Sequence, residues 1–200
     1  MIRVRDFGAG SRVFKGPERK VSRIAKTAGI SKRRAKLLYK TVRQFQPAKI
    51  LELGTSLGLA TAALSLAAPK ARIDSLEGCP ATAQVARSGF ERYGLKNIEV
   101  HTGEFDELLP GLLKANRYDL VFFDGNHQKE ATLRYFELCL AAATENSLFI
   151  FDDIHWSRDM ETAWEQIKEH PEVTLTLDTY QWGLVFFRKD REKEHFTLRV

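Results

Sequence analysis

From Ala48 onward the chain alternates short apolar runs with stretches of helical period, and that alternation leaves few folds open. The runs are KILEL (49–53), RIDSLE (72–77), NIEVH (97–101), YDLVFFD (118–124) and SLFIFD (147–152), with helix candidates between and after them at about 57–68, 80–93, 106–115, 128–143 and 157–170. Runs with little polar alternation suit strands buried on both faces, and connections long enough for a helix imply parallel pairing. The end of the chain differs. VTLTLDTY and WGLVFFRK are separated by Gln181 alone, too close for a helix, which predicts an antiparallel hairpin. The expected fold is α/β: a doubly wound, mostly parallel sheet of seven strands with a C-terminal antiparallel hairpin.

Charge divides the chain unevenly. Residues 1–49 carry 15 Lys or Arg against two acids, Asp6 and Glu18, whereas the remainder has a net charge of −8. A basic arm on an acidic body raises the prospect of nucleic acid as a partner. In SKRRAKLLYKTVRQF, however, Ala35, Leu38, Val42 and Phe45 recur at helical intervals, leaving Lys32, Arg33, Lys36, Lys40 and Arg43 largely off that stripe. A solvated helix face accounts for them. We therefore read 1–47 as a basic, helical segment of the same domain that covers the ligand side of a core spanning 48–200. No run approaches the ~18 apolar residues of a membrane span, and no signal peptide is evident at MIRVRDFGAG. Cys79 and Cys139 lie far apart without a C-x-x-C pattern, which suits a reducing, cytoplasmic location.

In open α/β sheets ligands sit beyond the carboxyl ends of the strands. Acids gather at those ends: Glu52, Glu77, Glu104, Asp124 and the Asp152–Asp153 pair. LELGTSLG follows the first strand and opens the first helix, so Gly54 and Gly58 can form a tight turn at a helix N-terminus. This is neither G-x-G-x-x-G nor the phosphate-loop pattern. Glu77 ends the second strand, where a carboxylate can accept both hydroxyls of a ribose.

These features together resemble the class I S-adenosylmethionine-dependent methyltransferases: E-x-G-x-x-x-G after strand one, an acid ending strand two, and a closing antiparallel hairpin on a Rossmann-like sheet. More narrowly, the chain is similar to the catechol O-methyltransferase type and its bacterial relatives, from about Ile30 to Phe187. The resemblance implies that Glu52, Gly54, Ser56 and Gly58 lie at the methionine end of S-adenosylmethionine and that Ile30 also borders the cofactor. It also implies that Glu77 holds the ribose and that Gly103, Glu104 and Phe105 border the adenine. Ala60 departs from the catechol enzyme, which has a hydroxyl there for the cofactor carboxylate; Thr61 is the nearest substitute.

The same resemblance assigns Asp124, Asp152 and Asp153 to a divalent metal, with Asp124 also reaching the cofactor. Oxygen-only ligands suit a hard cation such as Mg²⁺, and a cation between adjacent aspartates would offset their repulsion. The alternative is that Asp153 caps the helix beginning near Ser157. His127 stands three positions after Asp124, where the catechol-type enzymes carry a basic lysine; an imidazole, with pKa near ~6.5, is a competent base at neutral pH. The expected reaction is O-methylation of a small molecule, with His127 and Asp124 as catalytic residues. Two alternatives are methylation of RNA docked on 12–49 and a non-enzymatic cofactor-binding protein. His155 and Trp156 are secondary candidates for the acceptor pocket, and Asp6–Ser11 (DFGAGS) reads as a shaped loop.

Overall fold

A computed structural model describes residues 1–11, 13–190 and 192–199. Arg12, within the basic stretch considered for RNA, lies outside the described residues. The chain forms two compact units, Met1–Leu108 and Leu109–Val200.

The first unit begins with a small antiparallel ladder, β1 (Ile2–Arg3) against β2 (Glu18–Arg19). Helices α1 (Val21–Thr27) and α2 (Lys32–Phe45) follow. Ser31 caps α2 by accepting from the Arg34 amide, and Gln46 closes it in the left-handed conformation at φ 50°. Leu38 and Val42 are buried, while Lys32, Arg33, Lys36, Lys40 and Arg43 are exposed as the stripe predicts. Like charges at i,i+4 cost about 0.2–0.5 kcal/mol a pair, against about 1.5–3 kcal/mol for each large apolar side chain buried, so the helix forms.

Three parallel strands follow in this unit: β3 (Lys49–Leu53), β4 (Arg72–Glu77) and β5 (Ile98–Thr102), ordered β3-β4-β5. The crossovers are α3 (Leu59–Ala67) and α4 (Pro80–Arg92), and α5 (Phe105–Ala115) leaves β5 and runs into the second unit. Their register puts Ile50 beside Ile73 and Leu53 beside Leu76, all buried. Phe90, Ala83 and Ala86 cover them from α4.

In the second unit β6 (Leu120–Phe123) pairs in parallel with β7 (Leu148–Asp152), and α6 (Lys129–Leu140) connects them. After α7 (Arg158–Glu169), the expected hairpin is present as β8 (Leu175–Asp178) and β9 (Trp182–Phe186), with β9 antiparallel to β7. A further strand, β10 (Glu194–Thr197), pairs in parallel with β8, beyond the seven expected. Its four residues are all exposed, so no apolar pattern marked it. Aromatic rings fill this core: Phe123 stacks on Phe151 at 4.2 Å, and Phe149 meets Phe187 edge-on at 4.8 Å. No helix among the described residues is long and apolar enough to cross a membrane.

Candidate active site

The turn after β3 is tied to β4: the amides of Gly54 and Thr55 both donate to the Leu76 carbonyl, at 2.9 and 3.0 Å. Ser56 is held left-handed at φ 48° and Gly58 at φ 80°. A Cβ on Gly58 would lie 2.5 Å from the Phe90 ring, so glycine is required there by packing as well as by backbone. Ile30 lies between α1 and α2, after Gly29, whose added Cβ would meet the Leu59 side chain at the start of α3.

Glu52 lies beneath this turn with no exposed surface. Its Oε2 accepts from the hydroxyls of Thr61 and Ser75, while Oε1 is buried without a hydrogen-bond partner. Burial pushes its pKa from 4.5 up to about 7, the two hydroxyls opposing and the Glu77 charge adding. Thr61 is itself fully buried and spends its hydroxyl on Glu52, which removes it as the substitute for the hydroxyl missing at Ala60.

Glu77 turns its carboxylate back to the same turn. Oε2 accepts from the Ser56 amide at 2.7 Å, and Oε1 accepts from the Cys79 amide at 2.8 Å and the Thr82 hydroxyl at 3.1 Å. A carboxylate has roughly four acceptor positions, so three protein donors leave room for a further one. The Gly103 amide donates to the Glu77 carbonyl at 3.0 Å, which brings the β5 end beside it. Glu104 is exposed there, and its carbonyl receives the Glu107 and Leu108 amides as α5 begins. Burial opposes ionisation of Cys79, but hydrogen bonds from Thr82 and the Arg5 amide outweigh it and hold the thiol below its ordinary value. Glu77 thus keeps an acceptor position for a further donor, while the Glu52 carboxyl is enclosed beneath the turn.

The second unit holds the other candidates. Asp124 and His127 follow β6, each about a quarter exposed, with His127 Nε2 4.0 Å from Asp124 Oδ1. That is ion-pair range, longer than a hydrogen bond. His127 and Asn126 are both left-handed, at φ 46° and 72°, and the Trp156 ring is 6.2 Å from the imidazole. Asn126, absent from the sequence reading, has its Oδ1 buried without a hydrogen-bond partner. Asp152 ends β7 opposite Trp182, whose indole Nε1 donates to its Oδ1 at 2.7 Å. Asp153 adopts φ 54°. It does not cap α7: Ser157 does, accepting from the Met160 amide at 3.2 Å. His155 is bound to Asp178 at 2.9 Å and stacks on Tyr180 at 5.3 Å, a pin for its loop rather than a pocket wall.

In kind, the oxygens of Asp124, Asp152, Asp153 and Asn126 fit a hard cation. Among the described residues, the set whose ligand atoms all lie within 4.8 Å of one another is instead Asp74, Glu99 and His101. That set lies on β4 and β5 and is already compensated, with Arg72 2.8 Å from Glu99 and 3.6 Å from Asp74, and His101 2.9 Å from Asp74.

Comparison with known proteins decides the family. Residues 51–154, just over half of the chain, match the family described as a methyltransferase domain. The chain belongs to that family. It is 31% identical over 129 residues to a catechol O-methyltransferase of Niastella koreensis, covering 62% of this chain and 58% of that protein. It is also 31% identical over 127 residues to a catechol O-methyltransferase of Mycobacterium tuberculosis, covering 62% and 56%. The matches thus span less than two thirds of these relatives' lengths. The cofactor-bound structure of Rv0187 from MTB has a TM-score of 0.73 at 25% identity, covering 84% of this chain and 86% of that one. The fold of this methyltransferase is the Rossmann-like, mostly parallel α/β sheet with a closing antiparallel hairpin.

Proposed function

We propose that the protein transfers a methyl group from S-adenosylmethionine to a hydroxyl of a small molecule, with a divalent cation, Mg²⁺ in the first instance, beside the acceptor. The observation that carries this reading is the His127–Asp124 pair, about a quarter exposed at the end of β6, with the imidazole held on a left-handed backbone. Bound S-adenosylmethionine supplies an electrophilic methyl, so the protein's tasks are alignment of an oxygen and removal of its proton. His127 takes the hydroxyl proton on its imidazole. The Asp124 carboxylate, 4.0 Å away, favours the imidazolium that forms.

Asp124, Asp152 and Asp153 would hold the cation, with Asn126 Oδ1 as a further oxygen donor, and positive charge there favours the deprotonated acceptor. Trp182 fixes one oxygen of Asp152 and so orients the other. On the cofactor side, Glu77 would accept from the ribose. Ile30, Glu52, Gly54, Ser56 and Gly58 would border the methionine part, and Gly103, Glu104 and Phe105 the adenine. The curated relatives, both catechol O-methyltransferases, support a hydroxyl acceptor.

The test combines calorimetry with S-adenosylhomocysteine and methyl transfer to a catechol in the presence of Mg²⁺. We expect micromolar binding. We also expect His127→Asn to keep that affinity while lowering kcat by about 10²- to 10⁴-fold. Tight NAD binding without response to S-adenosylhomocysteine would overturn the assignment, and an unchanged kcat would remove His127 as the base.

A further inference from the structure

The N-terminal loop DFGAGS is not random cover. β1 and the residues after it are fastened to the turn that carries Glu77. The Arg5 amide donates to Cys79 Sγ at 3.4 Å, the Cys79 thiol donates to the Arg3 carbonyl at 3.8 Å, and Asp6 is ion-paired with the buried guanidinium of Arg19. The Val4 amide donates to the Pro17 carbonyl at 2.8 Å, closing the loop at its base. These contacts deliver one side chain to one place. The Phe7 ring lies where a side chain on Gly78 would be: a Cβ added to Gly78 would fall 2.6 to 3.1 Å from three of its ring carbons.

Phe7 is only partly buried and is not among the fully buried side chains of the core. The Arg5 guanidinium sits over the ring, 4.6 Å from its centroid, a cation–π contact that helps to hold it in place. Core packing alone does not account for a ring set over a glycine by a strap that four polar contacts fasten just before it. Its neighbours suggest another purpose. Gly78 follows the carboxylate that faces the Ser56 amide, and the β5 end lies alongside through the Gly103 amide.

We propose that Phe7 is the aromatic wall of the nucleoside pocket, supplied from the N-terminal strap into the space that glycine leaves open at position 78. The ligand is the purine nucleoside part of the cofactor, so this inference rests on the cofactor assignment above. A purine offers a flat π-face, and stacking on an aromatic side chain is the common way to hold one without reading its hydrogen-bonding edge. The strap thereby acts as a positioning element: it fixes Phe7, and Phe7 fixes the base relative to Glu77.

The experiment is a two-position cycle read by calorimetry with S-adenosylhomocysteine, with circular dichroism to verify folding. Phe7→Ala should weaken binding by about five- to a hundredfold, the range of one base–aromatic stack. Gly78→Met alone should also weaken it, because the new side chain meets the Phe7 ring and displaces the strap. In Phe7→Ala/Gly78→Met the methionine occupies the vacated space, so affinity should return to within about threefold of the parent, a rescue that a merely structural strap would not give. Phe7→Trp should retain binding and add an emission change on titration beyond that of the parent's own tryptophans. An unchanged affinity in Phe7→Ala, or a double variant no better than either single one, overturns the proposal. A parent that does not bind S-adenosylhomocysteine overturns the cofactor assignment itself, a separate outcome.

Discussion

Glu52 gives the most quantitative test of how the floor beneath the Gly54 turn is built. The carboxyl has no exposed surface, and its Oε1 lacks a partner. Burial, with a smaller contribution from Glu77, raises its pKa from 4.5 to about 7 in spite of the hydroxyls of Ser75 and Thr61. A carboxyl raised on folding keeps its proton in the folded chain after the unfolded chain has lost it. Its contribution to stability is therefore full below about pH 4.5 and is lost as the pH rises through about 7. The gap from 4.5 to about 7, at about 1.4 kcal/mol per pH unit, comes to about 3 kcal/mol. Glu52→Gln replaces the acid with a neutral group of the same shape whose amide oxygen can still accept from Thr61 and Ser75. Urea unfolding of parent and variant between pH 4 and 8.5 isolates this group, since other titrations cancel in the difference. The parent should lose about 3 kcal/mol relative to the variant across that window, with plateaus on either side. A flat difference, or a parent that gains stability as the pH rises, would refute the reasoning.

Two further outcomes follow from the other sites. Millimolar Mg²⁺ should raise the thermal midpoint of the parent by the linkage RT ln(1 + [M]/Kd), about 2.7 kcal/mol at a hundredfold excess over Kd. Asp124→Asn and Asp152→Asn should lose that response, and with chelator present they should be no less stable than the parent, because repulsion is relieved; equal shifts in all three would end the metal reading. The exposed bases of α2 should bind RNA weakly and with a steep salt dependence, so filter binding that stays submicromolar at physiological salt would promote RNA as acceptor.

Periodicity carried most of the fold. The strands at 49–53 and 72–77 fall where the apolar runs lie, and each helix boundary from α3 to α7 falls within three residues of its expectation. Burial on both faces leaves such segments no alternative reading, because a misplaced strand would expose several large apolar side chains. The N-terminus was opaque for the opposite reason. Its two-residue strands, Ile2–Arg3 and Glu18–Arg19, have no length over which a period could appear. Phe7 meets Gly78 across 70 intervening positions through a contact that neither residue's surroundings encode. DFGAGS therefore read as a loop of unknown purpose, although it is fastened at several points.

At the site, the sequence supplied the residues and the backbone supplies a reason to take them seriously. Among the described residues, six non-glycine residues have positive φ: Gln46, Ser56, Asn126, His127, Asp153 and Tyr180. Two have ordinary causes, since Gln46 ends α2 and Tyr180 turns the β8–β9 hairpin. The other four lie in the three strand-end loops that the acids and glycines had marked. A side chain held left-handed costs of order 1 kcal/mol or more, a cost glycine would relieve, so these loops keep side chains at the expense of stability. For Asp153 helix capping is not the reason, because Ser157 and not Asp153 satisfies the first turn of α7. Asp153 thus stands next to a buried acid oriented by Trp182, which is the placement the proposed cation site requires. No sequence pattern reports φ, which is why the helix-cap reading of Asp153 stayed open until the backbone was known.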